Sequence, residues 1–503
     1  MKHTSEKVSY TLGRSGELII ENYNCAKPFA SFFPGIAGPH GIPMWVFYVN
    51  RAQCVCSIGI EDKEHPIMEF LSANGAYQLT STQGFRTFVK IGTGSTPRFY
   101  EPFQRHATDA GMDLTQKMII FPAQLTLEEE NRTLGLKFTV DFFNIPEDNY
   151  AGLVRVLRIE NLGKKPVSME VLDGLPLIIP YGVDNYNLKH MRRLVESFVE
   201  TVNYSETGIP YFKSKVKQED KPEVTRIKEG NFYVGFVPGK GGSKVVSPIV
   251  DPEWIFGSLT GYSHPILFAN ETPFRIRPGQ QLENRLPCAM GLTSTTIAAG
   301  KTYTYGSIIG SATSVDALNR LVPRVTKWSY VEKKQKENAD LIEQVTQYNF
   351  TQSSSRPFDL YARQNFLDNT LRGGLPISLH DDDSTTTIHL YSRKHGDLER
   401  DYNDYRLSAT NYSQGNGNFR DVNQNRRNDL LINPDVREGN VEHFYNLLQL
   451  DGFNPLVVKV TSFSVKNRKA LDKVLRKAIP AKNLKTVQGF FVQRFAPGQL
   501  MSF

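Results

Sequence analysis

The sequence predicts a mainly β N-terminal part, an antiparallel sandwich, followed by a helical linker and a third, mixed region. Up to about residue 311, short segments rich in Val, Ile, Phe, Tyr and Thr are bounded by Gly, Pro and Asn, a pattern typical of strands joined by turns. Between 312 and 375 the apolar residues recur three and four apart, which favours helices. A chain of 503 residues exceeds one usual core, so 1–311, 312–375 and 376–503 are the predicted domains.

Within the sandwich, the predicted strands include 18–20, 44–49, 136–143 and 154–159. The third alternates apolar and polar residues from Leu136 to Phe142, as a half-buried strand does. Residues 167–174 follow a turn-forming stretch, and we expect them to pair with 154–159 as a hairpin. Residues 238–244, Pro-Gly-Lys-Gly-Gly-Ser-Lys, lack the spacing of a phosphate-binding loop and are predicted as a hairpin turn.

The helical pattern begins in the linker and returns near the C-terminus. Residues 315–321, 329–345 and 360–371 are predicted helices, the last ended by Gly373 and Gly374. Two further predicted helices and one predicted strand follow the polar section of the third region. They are the helices at 441–448 and 469–475 and the strand at 490–495.

Composition excludes several classes of protein. The net charge of +7 is mild for this length, and we expect that it is not concentrated in a tail or stripe. Nucleic acid is therefore not the expected partner. The four cysteines match neither a zinc site nor a disulfide framework, which favours a reducing cytoplasm. No apolar run approaches the length of a membrane-spanning helix, and no metal-binding motif occurs, so neither a membrane nor a metal is expected.

Residues 418–429, Asn-Phe-Arg-Asp-Val-Asn-Gln-Asn-Arg-Arg-Asn-Asp, gather planar hydrogen-bonding and ionic side chains around one aromatic ring. Arginine offers a rigid fork of donors, aspartate a pair of acceptors, and Asn and Gln offer both, so together they can satisfy adjacent hydroxyls of a sugar. A polar surface loop or a buried structural network explains the same composition. Residues 391–402 mix basic and acidic side chains, which favours either a solvated loop or a second wall of the same pocket.

The 418–429 segment resembles the Tyr-Arg-Asp-x-Asn-Gln-Asp signature with which β-glucan phosphorylases of glycoside hydrolase family 94 and the related family 161 hold a glucose ring. The residues that match, and that the resemblance assigns to substrate binding, are Arg420, Asp421, Asn423 and Gln424. After Gln424 the chain departs from the signature, because Asn425 and two arginines stand where the family has Asp. Residues 32–88 resemble the opening of family 161 enzymes, with aromatic rings beside Asn, Gln and Arg, as in a platform for sugars.

This resemblance implies that the sandwich and linker precede an (α/α)6 barrel, present here as its incomplete beginning. It also implies inverting phosphorolysis of β-linked gluco-oligosaccharides, with β-1,3 linkage slightly preferred. One carboxylic acid protonates the leaving oxygen while inorganic phosphate attacks from the opposite face, giving α-glucose 1-phosphate. Phosphate is then a co-substrate, and no cofactor is expected. Basic residues must neutralise it, and the candidates for contact with substrate or phosphate are Arg393, His395 and Arg400.

No catalytic residue is expected in this chain. The family's general acid lies in an Asp-Trp-Asn-Asp-like motif downstream of the signature, whereas Trp45, Trp254 and Trp328 all precede Arg420. A twelve-helix barrel needs roughly 200 residues, and 124 follow Leu379. We therefore expect a truncated enzyme or one half of a split enzyme, acting as a homodimer or with a complementing catalytic chain. The alternatives are a non-catalytic carbohydrate-binding protein and a structural subunit of a split enzyme.

Overall fold

The computed structural model describes residues 7–38, 40–92, 94, 96–106, 110–219, 221–380, 384–392 and 405–502. Within these ranges the strands are β1 Ser9–Leu12, β2 Leu18–Glu21, β3 Ala30–Phe32, β4 Trp45–Val49, β5 Val55–Gly59, β6 Pro66–Met68, β7 Arg86–Ile91, β8 Arg98–Tyr100, β9 Leu114–Ile120, β10 Leu125–Asn131, β11 Leu136–Asn144, β12 Ala151–Asn161, β13 Val167–Leu175, β14 Val199–Val202, β15 Tyr211–Ser214, β16 Gly230–Gly239, β17 Gly242–Val246, β18 Pro248–Ile249, β19 Ala289–Ile297, β20 Thr302–Ala312, β21 Leu375–His380, β22 Thr385–Leu390, β23 Gly417–Asn418 and β24 Val457–Val458.

The α-helices of the same ranges are α1 Ala73–Gln83, α2 Asn185–His190, α3 Tyr204–Thr207, α4 Glu253–Phe256, α5 Ile266–Asn270, α6 Val315–Val325, α7 Trp328–Thr346, α8 Arg356–Gly373, α9 Phe419–Asn425, α10 Asp429–Ile432, α11 Gly439–Asn446, α12 Arg468–Ala478, α13 Ala481–Phe490 and α14 Pro497–Ser502.

Two large antiparallel sheets face each other in the N-terminal part. The first has eleven strands in the order β1-β2-β9-β10-β11-β12-β20-β16-β15-β14, with β17 paired to β16, and the second runs β18-β19-β13-β7-β8. One apolar core lies between them, to which β11 contributes Leu136, Phe138, Val140 and Phe142. Because every second residue of β11 points into this core, the predicted period-two strand is confirmed. A four-stranded sheet, β3-β4-β5-β6, completes this part.

Helices α6 and α7 cover the outer face of the eleven-stranded sheet. Leu318 and Val325 of α6 and Val331 of α7 pack there against β12, β16 and β20. Helix α6 begins where Ser314 Oγ accepts a hydrogen bond from the backbone N–H of Ala317 at 3.1 Å, an N-terminal cap that satisfies a free helix donor. Lys334 of α7 is buried and donates to the carbonyl oxygens of the loop between β11 and β12, so the linker is hydrogen-bonded to the sandwich.

A buried ionic network crosses the sandwich core. The Arg155 guanidinium on β12 forms an ion pair with Asp173 on β13, and both side chains are almost fully buried. Gln53 Oε1 accepts from Arg155 at 2.7 Å, and the Thr87 hydroxyl donates to Asp173 at 2.7 Å. Since each charged group has its hydrogen bonds satisfied, the pair is stable away from water. It also links the two facing sheets at a fixed position.

The third region rests on the N-terminal part through an aromatic and ionic contact. Tyr405 is buried against Trp45 and Phe70, with ring centroids 6.3 and 6.1 Å away. The next residue, Arg406, lies 3.5 Å from Asp62 in the turn after β5. Within this region β21 pairs with β22 and β23 pairs with β24, and short helices follow.

The strand and helix predictions are largely confirmed, with two corrections. The prediction that 167–174 forms a hairpin with 154–159 is wrong, because β12 is paired with β11 and β20, and β13 crosses to the other sheet between β7 and β19. The predicted strand at 490–495 is also wrong: α13 extends to Phe490, and Phe495 forms only an isolated bridge with Phe463. The (α/α)6 barrel and the three domain boundaries stay predictions. None of the described helices combines the length and the apolar character needed to cross a membrane.

Candidate functional site

Helix α9 holds the residues of the sugar-binding signature. It starts directly after β23, which pairs with β24, so a short antiparallel ladder fixes where the helix begins. Phe419, its first residue, is buried and meets the ring of Phe444 on α11 edge to face, with centroids 5.3 Å apart. The aromatic ring predicted at the centre of the segment thus anchors the helix in the protein core.

The side chains that match the signature lie on the solvent-facing side of α9. Arg420 is 86% exposed, and its Nε donates to Asp421 Oδ1 at 2.9 Å. Asn423 and Gln424 are also exposed. At 3.6 residues per turn, Arg420, Asn423 and Gln424 fall within about 100° of one another around the helix axis. The structure therefore brings these three side chains to one face, with the Asp421 carboxylate beside them. We call this the outer face of α9.

Arg426, beyond the matching residues, is buried instead. Its guanidinium donates to the carbonyl oxygen of Gly373 at the end of α8, and its Nε lies 3.4 Å from Asp429 Oδ2. The Asp429 carboxylate is also buried, and the same oxygen accepts from His389 Nε2 at 2.8 Å and from Asn440 Nδ2 at 2.8 Å. This network ties together three helices and a strand, which is the role of a structural cluster.

A cavity of about 320 Å³ lies behind α9. Its walls come from β22, α9, α11 and the segment after β24, and it lies at the lower end of the size range of small-molecule sites. Hydroxyl and amide groups line much of it, from Thr385, Thr387, Gln414, Asn440 and Thr461. Gly374 lets the strands approach closely, since its φ is +97° and a Cβ at this position would lie 2.7 Å from the Cβ of His389, so that only glycine fits.

The charged groups of the cavity balance one another. Burial, together with the positive charge of Arg426, lowers the pKa of His389 to about 4, so its imidazole is neutral near pH 7 and donates Nε2–H to the Asp429 carboxylate. Partial burial and Arg426 also lower the pKa of His443. Arg426 is compensated by Asp429, and Lys459 and Glu442 complete the lining. A nearly neutral cavity rich in hydroxyls and amides suits an uncharged polyhydroxylated ligand better than an ion.

The sequence reasoning missed most of the cavity. The period-two spacing of Thr385, Thr387 and His389, which puts all three on one face of β22, could have indicated a shared wall. Nothing local indicates that Asp429 pairs with His389, because the two residues belong to different elements. The three candidates for phosphate contact, Arg393, His395 and Arg400, lie outside the described residues.

Most aromatic residues of 32–88 are packed in the core, and Phe32 and Tyr77 are partly buried against it. Trp45, Phe85 and Phe88 are each no more than 2% exposed. Asn50 donates to the carbonyl oxygens of Tyr23 and Lys27, and it too is buried. These side chains hold the four-stranded sheet and the sandwich together.

Among the residues that the structure describes, one group of side chains lies close enough together to hold a metal ion. Ligand atoms of Glu61, Asp62 and His65 lie within 4.8 Å of one another. His65 Nδ1 is 2.7 Å from Asp62 Oδ1, and Arg406 faces the other oxygen of the same carboxylate. These contacts already satisfy Asp62, so we interpret the group as part of the junction with Tyr405.

No protein-family model matches the chain. No curated protein matches its sequence either.

Three solved structures have a partial structural similarity to it. A polysaccharide lyase matches 58% of this chain at 11% identity and a TM-score of 0.28. A protein assigned as a kojibiose phosphorylase, from the human microbiome, matches 70% at 7% identity and a TM-score of 0.25. A family 92 α-mannosidase from Bacteroides thetaiotaomicron matches 70% at 11% identity and a TM-score of 0.24. By their names, all three are carbohydrate-active enzymes. The matches span 34%, 32% and 40% of those chains, so this chain shares less than half of the length of each.

Proposed function

We propose that this chain is part of an inverting glycoside phosphorylase that cleaves β-glucosidic bonds of gluco-oligosaccharides with inorganic phosphate and gives α-glucose 1-phosphate. The observation that carries the proposal is the outer face of α9, where Arg420, Asn423 and Gln424 stand together beside Asp421. The groups within this helical turn match the donors and acceptors of a glucose ring: they are a fork of donors, a carboxylate and two amides.

The chain's part in the reaction is to bind and orient the sugar. Charge-assisted hydrogen bonds from Arg420 and to Asp421 would hold two hydroxyls, and the two amides would reach their neighbours. The acid that protonates the leaving oxygen is assigned to another polypeptide segment, and phosphate supplies the nucleophile from the opposite face. Binding without turnover is therefore the expected property of this chain by itself.

Isothermal titration with laminaribiose and with cellobiose, in the presence and absence of phosphate, tests the proposal. We expect binding to at least one disaccharide, weakened about tenfold or more in Arg420→Ala, because a lost charge-assisted hydrogen bond costs about 1.5–3 kcal/mol. Arg476→Ala is the matched control, since Arg476 is an exposed arginine on another helix. The proposal fails if neither sugar binds.

A second variant separates the outer face from the cavity. Thr387→Met places a bulky side chain in the cavity wall and leaves the outer face of α9 untouched. Sugar binding that is lost in Thr387→Met and retained in Arg420→Ala would move the site into the cavity and refute the assignment to Arg420. That outcome would favour the alternative of a non-catalytic carbohydrate-binding protein, because the cavity's hydroxyls and amides can bind a sugar without the signature.

A further inference from the structure

A single 20-residue segment carries the net charge of the chain. Residues 466–485 contain eight basic residues and one acidic residue, a net +7, which equals the net charge of the whole protein. The rest of the chain is therefore neutral overall, and the expectation that the charge is not concentrated is wrong. The basic residues are Lys466, Arg468, Lys469, Lys473, Arg476, Lys477, Lys482 and Lys485.

These residues belong to two helices, α12 and α13, which we call the basic hairpin. Asn467 caps α12 by accepting from the backbone N–H of Ala470 at 3.0 Å. Leu475 is the residue of α12 that becomes buried. The single acid, Asp472, accepts a hydrogen bond from Gln488 on α13 at 2.7 Å. The apolar side and the acid of α12 are thus used inside the hairpin, and the basic side is left to the solvent.

The cations are exposed, and within the described ranges none of them forms an ion pair. Arg468 donates to the backbone oxygen of Phe491. Lys469, Lys473 and Lys477 follow one another four residues apart, and with Arg476 they fall within about 100° around the axis of α12. Like charges at this spacing destabilise a helix. Because the sequence has these positive charges in spite of the destabilisation, we interpret them as a surface that contacts a partner.

The composition of the surface distinguishes among anionic partners. The aromatic residue of the basic hairpin is Phe490, and its partly buried ring packs against Phe491 and Phe495, so the hairpin has no open aromatic platform for the bases of single-stranded nucleic acid. Lysines outnumber arginines six to two, which favours point-charge contacts over the bidentate recognition that arginine provides. Two aliphatic side chains, Val474 and Val492, stand 61% and 69% exposed at the hairpin. Clustered lysines beside exposed aliphatic groups are typical of helices that lie on anionic lipid.

From this arrangement we infer that the basic hairpin is a docking surface for an anionic lipid bilayer, which α12 meets through Lys469, Lys473, Arg476 and Lys477. The contact is peripheral, since Leu475 of α12 is buried and Val474 is the exposed large apolar side chain that this helix offers to the headgroup region. This inference is independent of the proposed function, because it concerns a different surface and a different ligand.

Co-sedimentation of the full chain with vesicles tests the inference. We expect binding to phosphatidylcholine vesicles that contain phosphatidylserine, no binding to pure phosphatidylcholine, and release at high ionic strength. The triple variant Lys469→Glu, Lys473→Glu, Lys477→Glu should lower the partition coefficient by about 100-fold or more. Circular dichroism of the variant checks that the helices remain.

A matched triple variant makes the same change in net charge on the sandwich. Lys164, Lys165 and Lys240 are exposed in turns between strands, and Lys164→Glu, Lys165→Glu, Lys240→Glu should leave vesicle binding within about twofold. An equal loss of vesicle binding in both variants would mean that only the net charge of the protein matters, and this would overturn the inference. Failure to bind anionic vesicles would also overturn it, as would tighter binding to duplex DNA or polygalacturonate, each of which would assign the hairpin to a different polyanion.

Discussion

Replacing His389 by glutamine should remove a pH dependence from the stability of the protein. The imidazole is buried beside Arg426 and donates to Asp429 Oδ2 at 2.8 Å, and burial followed by the charge of Arg426 lowers its pKa from 6.5 to about 4. Glutamine is neutral at every pH, and its amide can donate to the same carboxylate. The substitution therefore removes the titration while keeping the hydrogen bond.

The sign and size of the effect follow from the two pKa values. Between about pH 6.5 and pH 4 the unfolded chain binds a proton at His389 that the folded protein does not, so stability falls as the pH falls through this window. At pH 4.5 this proton uptake raises the equilibrium constant of unfolding by a factor of about 80, which lowers the free energy of unfolding by about 2.5 kcal/mol. At pH 7.5 the effect is negligible.

Urea unfolding, followed by circular dichroism at pH 7.5 and at pH 4.5, measures how the free energy of unfolding depends on pH. Other groups also titrate, so the quantity of interest is the difference in pH dependence between the natural protein and His389→Gln, expected at about 2.5 kcal/mol. His380→Gln serves as the control, because His380 lies in the neighbouring strand and is half exposed. If His389→Gln keeps the pH dependence of the natural protein, the neutral buried imidazole is refuted.

Three further substitutions should lower the free energy of unfolding, each measured by urea or thermal denaturation. Phe419→Ala removes the ring that packs on Phe444 and should cost about 3 kcal/mol; a loss below about 1 kcal/mol would mean that this ring does not anchor α9. Asp173→Leu leaves Arg155 buried without its counter-charge and should cost about 3–5 kcal/mol, and adding Arg155→Met should restore most of it. Lys334→Met leaves the buried carbonyl oxygen of Pro146 and the partly buried one of Glu147 without this donor and should cost about 1–3 kcal/mol; an unchanged free energy of unfolding would contradict this role of the ammonium group.

Much of the fold could be predicted from the sequence because burial is periodic. In β11 the buried residues alternate from Leu136 to Phe142, and in α7 Val331, Lys334 and Asn338 are buried at helical spacing. The hairpin prediction for β13 failed for a different reason. One edge of β12 is occupied by the preceding strand β11 and the other by the distant strand β20. Asp173 of β13 therefore pairs with Arg155 across the core and does not lie beside it in the same sheet. Which edge remains free is a property of the whole sheet and leaves no local signal.

The site was only partly predictable because residue type does not determine which way a side chain faces. Arg420 and Arg426 belong to one polar segment, yet the first is exposed and the second is buried. Arg426 is stabilised inside the protein by Asp429, three residues later, and by the Gly373 carbonyl oxygen from a different helix. The spacing of Arg426 and Asp429 is visible in the sequence, but the carbonyl that accepts from Arg426 is not.

The exposure of the outer face has a consequence for the proposed reaction. In phosphorolysis, phosphate must attack the anomeric carbon in place of water, so the reacting centre has to be shielded from solvent. Arg420 is 86% exposed, and the outer face of α9 is open to solvent in the described structure. A sugar held there would be bound but not protected. We therefore expect that a second polypeptide surface must cover Arg420, Asn423 and Gln424 before phosphate can compete with water, and that the cover brings the general acid with it.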